Sequence, residues 1–335
     1  MPKYSVIVPV YNRIDEIDEL LRSLTEQTVK DFEVIIVEDG STTPCRDAVE
    51  KYASQLDVKY FYKDNEGRSI ARNYGIEQSS GKWLVFFDSD CLIPPYYFEN
   101  LDRELSSPEA EGIECYGGPD ATHESFTPVQ KAIGFAMTSF LTTGGIRGGK
   151  VQLEKFVPRS FNMGYTRNVY DHVGGFREMF SEDIDMSTRI RQGGFRCTLI
   201  RPAFVYHKRR VDFRKFWRQV HVFGRSRITL KLLYPGSLKL VHVLPALAVI
   251  LALLMVILGI FVSPWWLLPL GIYAVAILVA ASVQSRSLKV GLLAVPAAAV
   301  QLIGYGSGFI RAYFTKIILG RGRDIEEEIA IRKGK

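Results

Sequence analysis

Leu84-Val85-Phe86-Phe87-Asp88-Ser89-Asp90 begins as four large apolar residues and ends as two carboxylates separated by one serine. Two of the four are aromatic and one is β-branched, which reads as a strand buried on both faces. The acids cannot belong to the core, because an unpaired buried charge is costly to desolvate. They mark the carboxyl end of the strand, where an open α/β sheet gathers its ligands. Oxygen donors on a loop suit a hard divalent cation, Mg²⁺ or Mn²⁺, that keeps positions open for substrate phosphates. A turn whose acids only cap the next helix is the competing reading, since short motifs also match by accident.

Upstream, strand and helix patterns alternate. Residues 4–10 predict a first strand, followed by a helix capped by Asn12 with apolar positions at Ile14, Ile17, Leu20, Leu21 and Leu24. Phe32 to Val37 predict a second strand that ends in Glu38-Asp39-Gly40-Ser41, and Thr43-Pro44 predicts a helix start with proline at its first position. A third strand is expected over 58–62, a helix over 67–79 and the decisive strand over 82–87. This order implies a mostly parallel sheet with right-handed crossovers, and it brings Tyr11, Asp39, Asp88 and Asp90 to one edge. No Gly-x-Gly-x-x-Gly follows the first strand and no Gly-x-x-x-x-Gly-Lys occurs, so a pyrophosphate here would need the metal.

The remainder is organised by composition. The chain has 335 residues, 47% hydrophobic and 23% charged, with formal charge +6, enough for one large domain and an addition. The addition consists of three uncharged apolar stretches at 240–262, 265–283 and 290–310, each long enough for a hydrocarbon core of about 30 Å. Pro296, Gly304, Gly306 and Gly308 weaken the third as a helix. Residues 208–231 carry nine Lys or Arg against Asp212 alone, interleaved with Phe213, Phe216, Trp217 and Phe223. That composition would also suit nucleic acid, but next to a membrane segment it reads as a basic amphipathic helix drawn to anionic membrane lipid; no nucleic-acid partner is expected. The opening Met-Pro-Lys leads into an apolar run too short and wrongly flanked for export, so the soluble part is expected to face the cytoplasm. Cys45, Cys91, Cys115 and Cys197 show no paired spacing and read as reduced packing thiols.

A second acidic centre is Glu182-Asp183, opening a helix predicted over 184–192 with Ser181 as its N-cap. The helix dipole favours charged carboxylates in its first turn, the state that a general base needs. Acids also favour a helix start for stability alone, which is the competing reading. Asp185 falls elsewhere on the helix and reads as structural. Residues 94–105 predict a further helix, Cys115-Tyr-Gly-Gly118 ends a strand, and 126–150 reads as a mobile acceptor-side loop.

The runs Val-Ile-Val-Pro-Val-Tyr-Asn, Val-Glu-Asp-Gly-Ser, Asn65-Glu-Gly-Arg-Ser-Ile-Ala-Arg-Asn-Tyr-Gly75 and Phe-Phe-Asp-Ser-Asp resemble the family 2 glycosyltransferases of GT-A fold, in their membrane-anchored bacterial polysaccharide form. The resemblance continues through Phe161-Asn162-Met163, Gly174-Gly175-Phe176, Ser181-Glu182-Asp183 and Tyr206-His207, spanning roughly residues 4–231. It implies a GT-A doubly wound mixed sheet over 1–207, with a nucleotide-binding half (1–90) and an acceptor half (91–207). A juxtamembrane segment (208–239), a transmembrane region (240–315) and a charged tail (316–335) follow.

By the same resemblance Pro9, Tyr11 and Asp39 hold the nucleoside, with Asp39 facing the base. Arg68 or Arg72 serves base or phosphate, and Asp88 and Asp90 hold ribose and metal. His207 sits on or near the metal, and Asp183 deprotonates the acceptor. Pro9 as a strand end, Asn12 as a helix cap and Arg72 as a solvated helix face are the alternatives. Glu38 stands where the family more often has Asp and is left out of the site. Glu182, Gln219 and Arg225 are placed on the acceptor side. Gln219 lies where processive synthases carry Gln-x-x-Arg-Trp, but Val-His-Val follows it here, which argues against processive synthesis.

The implied activity is an inverting transfer from a nucleotide-sugar, expected to be UDP-linked, to a hydroxyl or phosphate of a lipid-linked or saccharide acceptor. The implied place is the inner membrane, in polysaccharide synthesis for the cell envelope. A metal-dependent nucleotidyl transferase or pyrophosphatase, and a non-catalytic membrane-bound sugar-nucleotide sensor, stay open.

Overall fold

The computed structural model describes residues 1–144 and 156–320. In chain order the first half runs β1 (Tyr4–Val10), α1 (Ile14–Thr25), β2 (Phe32–Asp39), α2 (Arg46–Glu50), β3 (Val58–Lys63), α3 (Arg68–Glu77), β4 (Trp83–Phe87), β5 (Cys91–Leu92), α4 (Tyr97–Leu105), β6 (Ile113–Gly117) and β7 (Asp120–Ala121). Then come α5 (Pro128–Thr138), α6 (Phe140–Thr143), β8 (Asn162–Thr166), α7 (Arg167–Val173), α8 (Glu182–Gln192), β9 (Arg196–Leu199) and β10 (Val205–His207). The chain finishes in α9 (Phe213–Leu233), α10 (Leu240–Phe261), α11 (Leu268–Ser285) and α12 (Leu288–Ala312). Two compact units result: residues 1–123 with 156–208, and 124–155 with 209–335.

The first unit is built on a seven-stranded sheet in the order β3-β2-β1-β4-β8-β6-β9. β1, β2, β3 and β4 pair in parallel, β8 runs antiparallel to both β4 and β6, and β9 is parallel to β6. The expected doubly wound mixed sheet is therefore present. Its uninterrupted apolar strands follow from burial on both faces. Val6, Val8, Val34, Ile36, Val85 and Phe87 pack on one face with Ile17, Leu20, Leu21 and Leu24 of α1. Ile7, Ile35, Val37, Leu84 and Phe86 pack on the other with Ala71 and Ile76 of α3 and Met186 and Ile190 of α8. Every residue of β4 is buried, and each such large side chain contributes about 1.5–3 kcal/mol. The acids after Phe87 stop the run where the sheet's edge meets solvent.

Three local expectations are corrected. Asn12 is no helix cap: it takes a left-handed φ of 53°, and α1 starts behind Arg13 without a side-chain cap. Its amide oxygen instead accepts from the Thr42 backbone N–H and hydroxyl, both at 2.9 Å, and so ties the end of β1 to the loop after β2. Pro44 does not open a helix; α2 begins two residues later, behind Cys45, whose N–H is taken by Glu38 at 2.7 Å. Nor is 126–144 a loop, because Thr127 and Gln130 form a capping box that starts α5, with Pro128 at its first position. Residues 145–150 of the expected loop lie outside the described residues.

In the second unit, α9 buries Phe216, Val220, Gly224 and Ile228, a stripe of four-residue spacing, and exposes Arg214, Lys215, Arg218 and Arg225. Its glycine answers others on α12. A Cβ on Gly224 would strike the Tyr305 carbonyl, one on Gly304 would lie 2.5 Å from Val220, and one on Gly308 would strike the His221 carbonyl. Gly306 meets α10 in the same way, 2.7 Å from the Pro245 carbonyl. The glycines that weakened the third apolar stretch on paper are its packing surface, as small residues are between apolar helices. α12 runs unbroken for 25 residues, and three segments, Leu240–Phe261, Pro264–Ser285 and Leu288–Ile318, are long and apolar enough to cross a membrane.

Candidate active site

The site gathers at the carboxyl edge of β1, β2 and β4, around the point where the chain leaves β1 between its two neighbours. Pro9 is half-buried near the end of strand β1 and Tyr11, just beyond the strand, is half exposed. Asp39, at the end of β2, is almost fully enclosed and makes a hub. Its Oδ1 accepts from Lys63 Nζ and the Glu66 N–H, each at 3.0 Å, and its Oδ2 from the Gly67 N–H at 2.8 Å. Asn65 adds a bond of 2.9 Å to the Asp39 carbonyl and closes over Gly40, whose φ of 70° and lack of a side chain let the loop approach. Burial works against the charge of Lys63, but its bonds to Glu66 and Asp39 hold its pKa above the ordinary value. Asp39 is thus fixed in orientation with one lone pair, on Oδ2, to spare. Glu38, pointing the other way, accepts from Tyr60 at 2.5 Å and from Cys45, and is structural.

α3 starts from this loop and delivers both arginines. Arg72 is no solvated residue: it is 1% exposed and donates to Asp88 Oδ1 at 2.7 Å and to Glu182 Oε1 at 2.9 Å. Arg68, half exposed, takes the other oxygen of Glu182 at 2.8 Å. Glu182 is 2% exposed, so its carboxylate is committed to the two arginines. Asp183 next to it is partly buried, 19% exposed, with Oδ1 accepting the Ile184 N–H at 2.8 Å and Oδ2 lying 3.6 Å from Arg159. Ser181 occupies the N-cap position with a left-handed φ of 68° and no side-chain cap bond. That turn, with Phe180 set on Arg68, points the two acids to different sides. Asp185 is buried against Arg189 and Arg177, a structural role.

The metal candidates converge through the small three-stranded sheet β5-β10-β7. Antiparallel pairing sets His207 opposite Cys91. His207 Nε2 then lies 3.1 Å from Asp90 Oδ1 and 3.9 Å from Asp88 Oδ2, its ring stacked on Phe161. Ligand atoms of Asp90, Cys91 and His207 fall within 4.8 Å of one another. The Cys91 thiol is turned inward, donating to the Phe161 carbonyl at 3.6 Å, so it packs. Asp90 and His207 remain, with Asp88 alongside, a donor set that fits a divalent cation. Gln219, half-buried, and Arg225, exposed, lie on α9 in the second unit.

Sequence reading missed two contributors. Asn73 exchanges bonds with Phe176, Nδ2 to its carbonyl at 2.8 Å and Oδ1 from its N–H at 2.7 Å, joining α3 to the turn that precedes α8. Arg159 was passed over because a lone arginine in a loop carries no periodic signal; its place three residues before Asn162 was the available hint.

Residues 5–174 match the family described as Glycosyl transferase family 2. A curated relative, an uncharacterized glycosyltransferase of Rickettsia bellii (strain RML369-C), is 42% identical over 103 residues, 31% of this chain and 14% of that protein. Glycosyltransferase AglE of Haloferax volcanii is 27% identical over 251 residues, covering 71% of this chain and 80% of AglE. The chain therefore spans well under two thirds of the Rickettsia protein and most of AglE. Among solved structures, mannosyltransferase PcManGT from Pyrobaculum calidifontis, in complex with GDP-Man and Mn²⁺, superposes with a TM-score of 0.54 at 19% identity, over 90% of this chain and 87% of that one. At that identity the likeness is one of fold, the GT-A fold.

Proposed function

Because the chain belongs to glycosyl transferase family 2, we propose that it moves a sugar from a nucleotide-sugar to a membrane-proximal acceptor with inversion at the anomeric carbon. The observation that supports this best is the joining of its two acidic centres by one buried guanidinium: Arg72 binds Asp88 on the donor edge and Glu182 beside the candidate base. Pro9, Tyr11 and Asp39 then take the nucleoside, with the base against Asp39 and uracil as the base. Arg68, half exposed, is within the same charged edge for the phosphates. Asp88, Asp90 and His207 would hold Mn²⁺ or Mg²⁺. That ion, when bound, supplies Lewis-acid neutralisation of the departing diphosphate. Asp183 accepts the acceptor's hydroxyl proton; the acceptor oxygen bonds to the anomeric carbon as the carbon–phosphate oxygen bond breaks, and the nucleoside diphosphate leaves with the bonding pair.

We place the enzyme in the inner membrane, spanning three times, with residues 1–239 cytoplasmic, since the basic stretch 208–231 precedes the first span. The acceptor is then a lipid-linked saccharide met at the bilayer surface, in polysaccharide synthesis. The test is a sugar-nucleotide screen on the full chain in detergent, read by thermal shift with Mn²⁺. UDP-sugars should stabilise it over GDP- and dTDP-sugars, and EDTA or Asp90→Ala should remove the effect. Equal stabilisation with and without metal would remove the metal site from the account. Transfer of nucleotide, or sugar released only to water, would favour a nucleotidyl transferase or pyrophosphatase instead.

A further inference from the structure

Arg159 stands beside the candidate base without being spent on it. Its side chain is 16% exposed, and its Nη1 lies 3.6 Å from Asp183 Oδ2, outside hydrogen-bond range. Its carbonyl accepts the Asn162 N–H at 2.9 Å, which fixes the backbone. Among the described residues Asp183 is the guanidinium's sole charge partner, and no hydrogen bond uses its donors. The same site shows what a committed arginine looks like. Arg72 and Arg68 close on Glu182 at 2.9 and 2.8 Å, and Arg72 on Asp88 at 2.7 Å. An arginine that served only to hold Asp183 would close in the same way, since paired N–H···O bonds to a carboxylate settle near 2.7–2.9 Å. Arg159 is largely withdrawn from water yet keeps most of a five-donor fork open next to the atom that would take the acceptor's proton.

We propose that Arg159 anchors an anionic group of the acceptor, a phosphate or a carboxylate, a few bonds from the hydroxyl that Asp183 deprotonates. The acceptor is thus an alcohol that carries its own negative charge close to the reacting oxygen. Engaging that charge keeps Arg159 from closing on Oδ2 and leaves the oxygen to the hydroxyl. This rests on the reading of Asp183 as the base.

The experiment uses the full chain in detergent, saturated with UDP and Mn²⁺ so that the donor site is filled, and titrated by calorimetry. The probes are octyl phosphate, glycerol 1-phosphate and methyl glucuronide, with octanol, glycerol and methyl glucoside as neutral counterparts. At least one anion should bind saturably and at least about tenfold more tightly than its counterpart. Octyl phosphate as the best probe would point to a lipid headgroup, and the other two to a polyol phosphate or an acidic sugar. Arg159→Gln should weaken that anion at least tenfold, Arg159→Lys should retain part of it, and Asp183→Asn should not weaken it. Anions no better than neutral probes, or an Arg159→Gln protein that binds them as well as the wild type, would overturn the proposal. A wild type that binds no nucleoside diphosphate would overturn the donor reading, and this inference with it. Normal nucleotide binding with no anion preference would overturn this inference alone.

Discussion

The enclosed Arg72 Nη2 lies 2.7 Å from the partly exposed Asp88 Oδ1, a contact that ties the end of β4 to α3. Through its other nitrogen the same guanidinium reaches Glu182, so the two acidic motifs share one counter-charge. Arg72→Met should leave both carboxylates without their buried partner. Breaking such a pair costs about 3–5 kcal/mol, and chemical denaturation should show a loss of that size. An Arg72→Met/Glu182→Met double variant should recover part of it. If the double variant is less stable than Arg72→Met, the pairing is misjudged.

Much of this arrangement could be read in advance. Four apolar residues followed by Asp88 and Asp90 placed a strand and its edge, because solvation allows no other position for paired acids. Two-sided burial explains why the strands were legible as continuous runs. What stayed hidden was contact between distant segments: that Arg72 would be enclosed, that Glu182 would be taken by two arginines, and that Asn73 would hold Phe176. None of these follows from spacing. Asn12 misled because Asn serves equally as a helix cap and as a left-handed turn residue. Gly304 and Gly308 misled because helix propensity counts the missing side chain as a cost, whereas helix packing uses the space it leaves.

Glu33 gives a pH dependence with a definite sign. Burial pushes its carboxyl up, but bonds from Lys59, Ser5 and Ser80 outweigh burial and hold it at about 2. The unfolded value is about 4.3, so the folded state favours the carboxylate. The resulting stability is complete above the unfolded value and is lost as pH falls toward 2. Glu33→Gln should therefore be less stable by about 1–3 kcal/mol at pH 7, and the two unfolding curves should converge below pH 4.5. A constant offset across that window would refute the assignment.

The helix packing predicts opposite signs for one substitution at two glycines. At Gly224 a methyl group meets the Tyr305 carbonyl, whereas at Gly271 nothing lies within 4 Å. Gly224→Ala should cost about 1–3 kcal/mol by overpacking. Gly271→Ala should be neutral or gain up to about 1 kcal/mol from helix propensity. Thermal unfolding in one detergent compares them, and equal shifts would mean that α9 and α12 do not pack as described.

The central claim is that Asp183 takes the proton, and one substitution isolates it. Asn keeps the shape and can still accept the Ile184 N–H through its amide oxygen, so nucleotide affinity and stability should change little. It cannot accept the proton, and positioned general-base catalysis is typically worth about 10²–10⁴ in rate. The measurement is kcat for sugar transfer by Asp183→Asn, with UDP affinity recorded on the same protein. A fall of 10²–10⁴ with affinity intact is the predicted result, and transfer within a few-fold of wild type would contradict it and leave Asp183 as a helix-start residue.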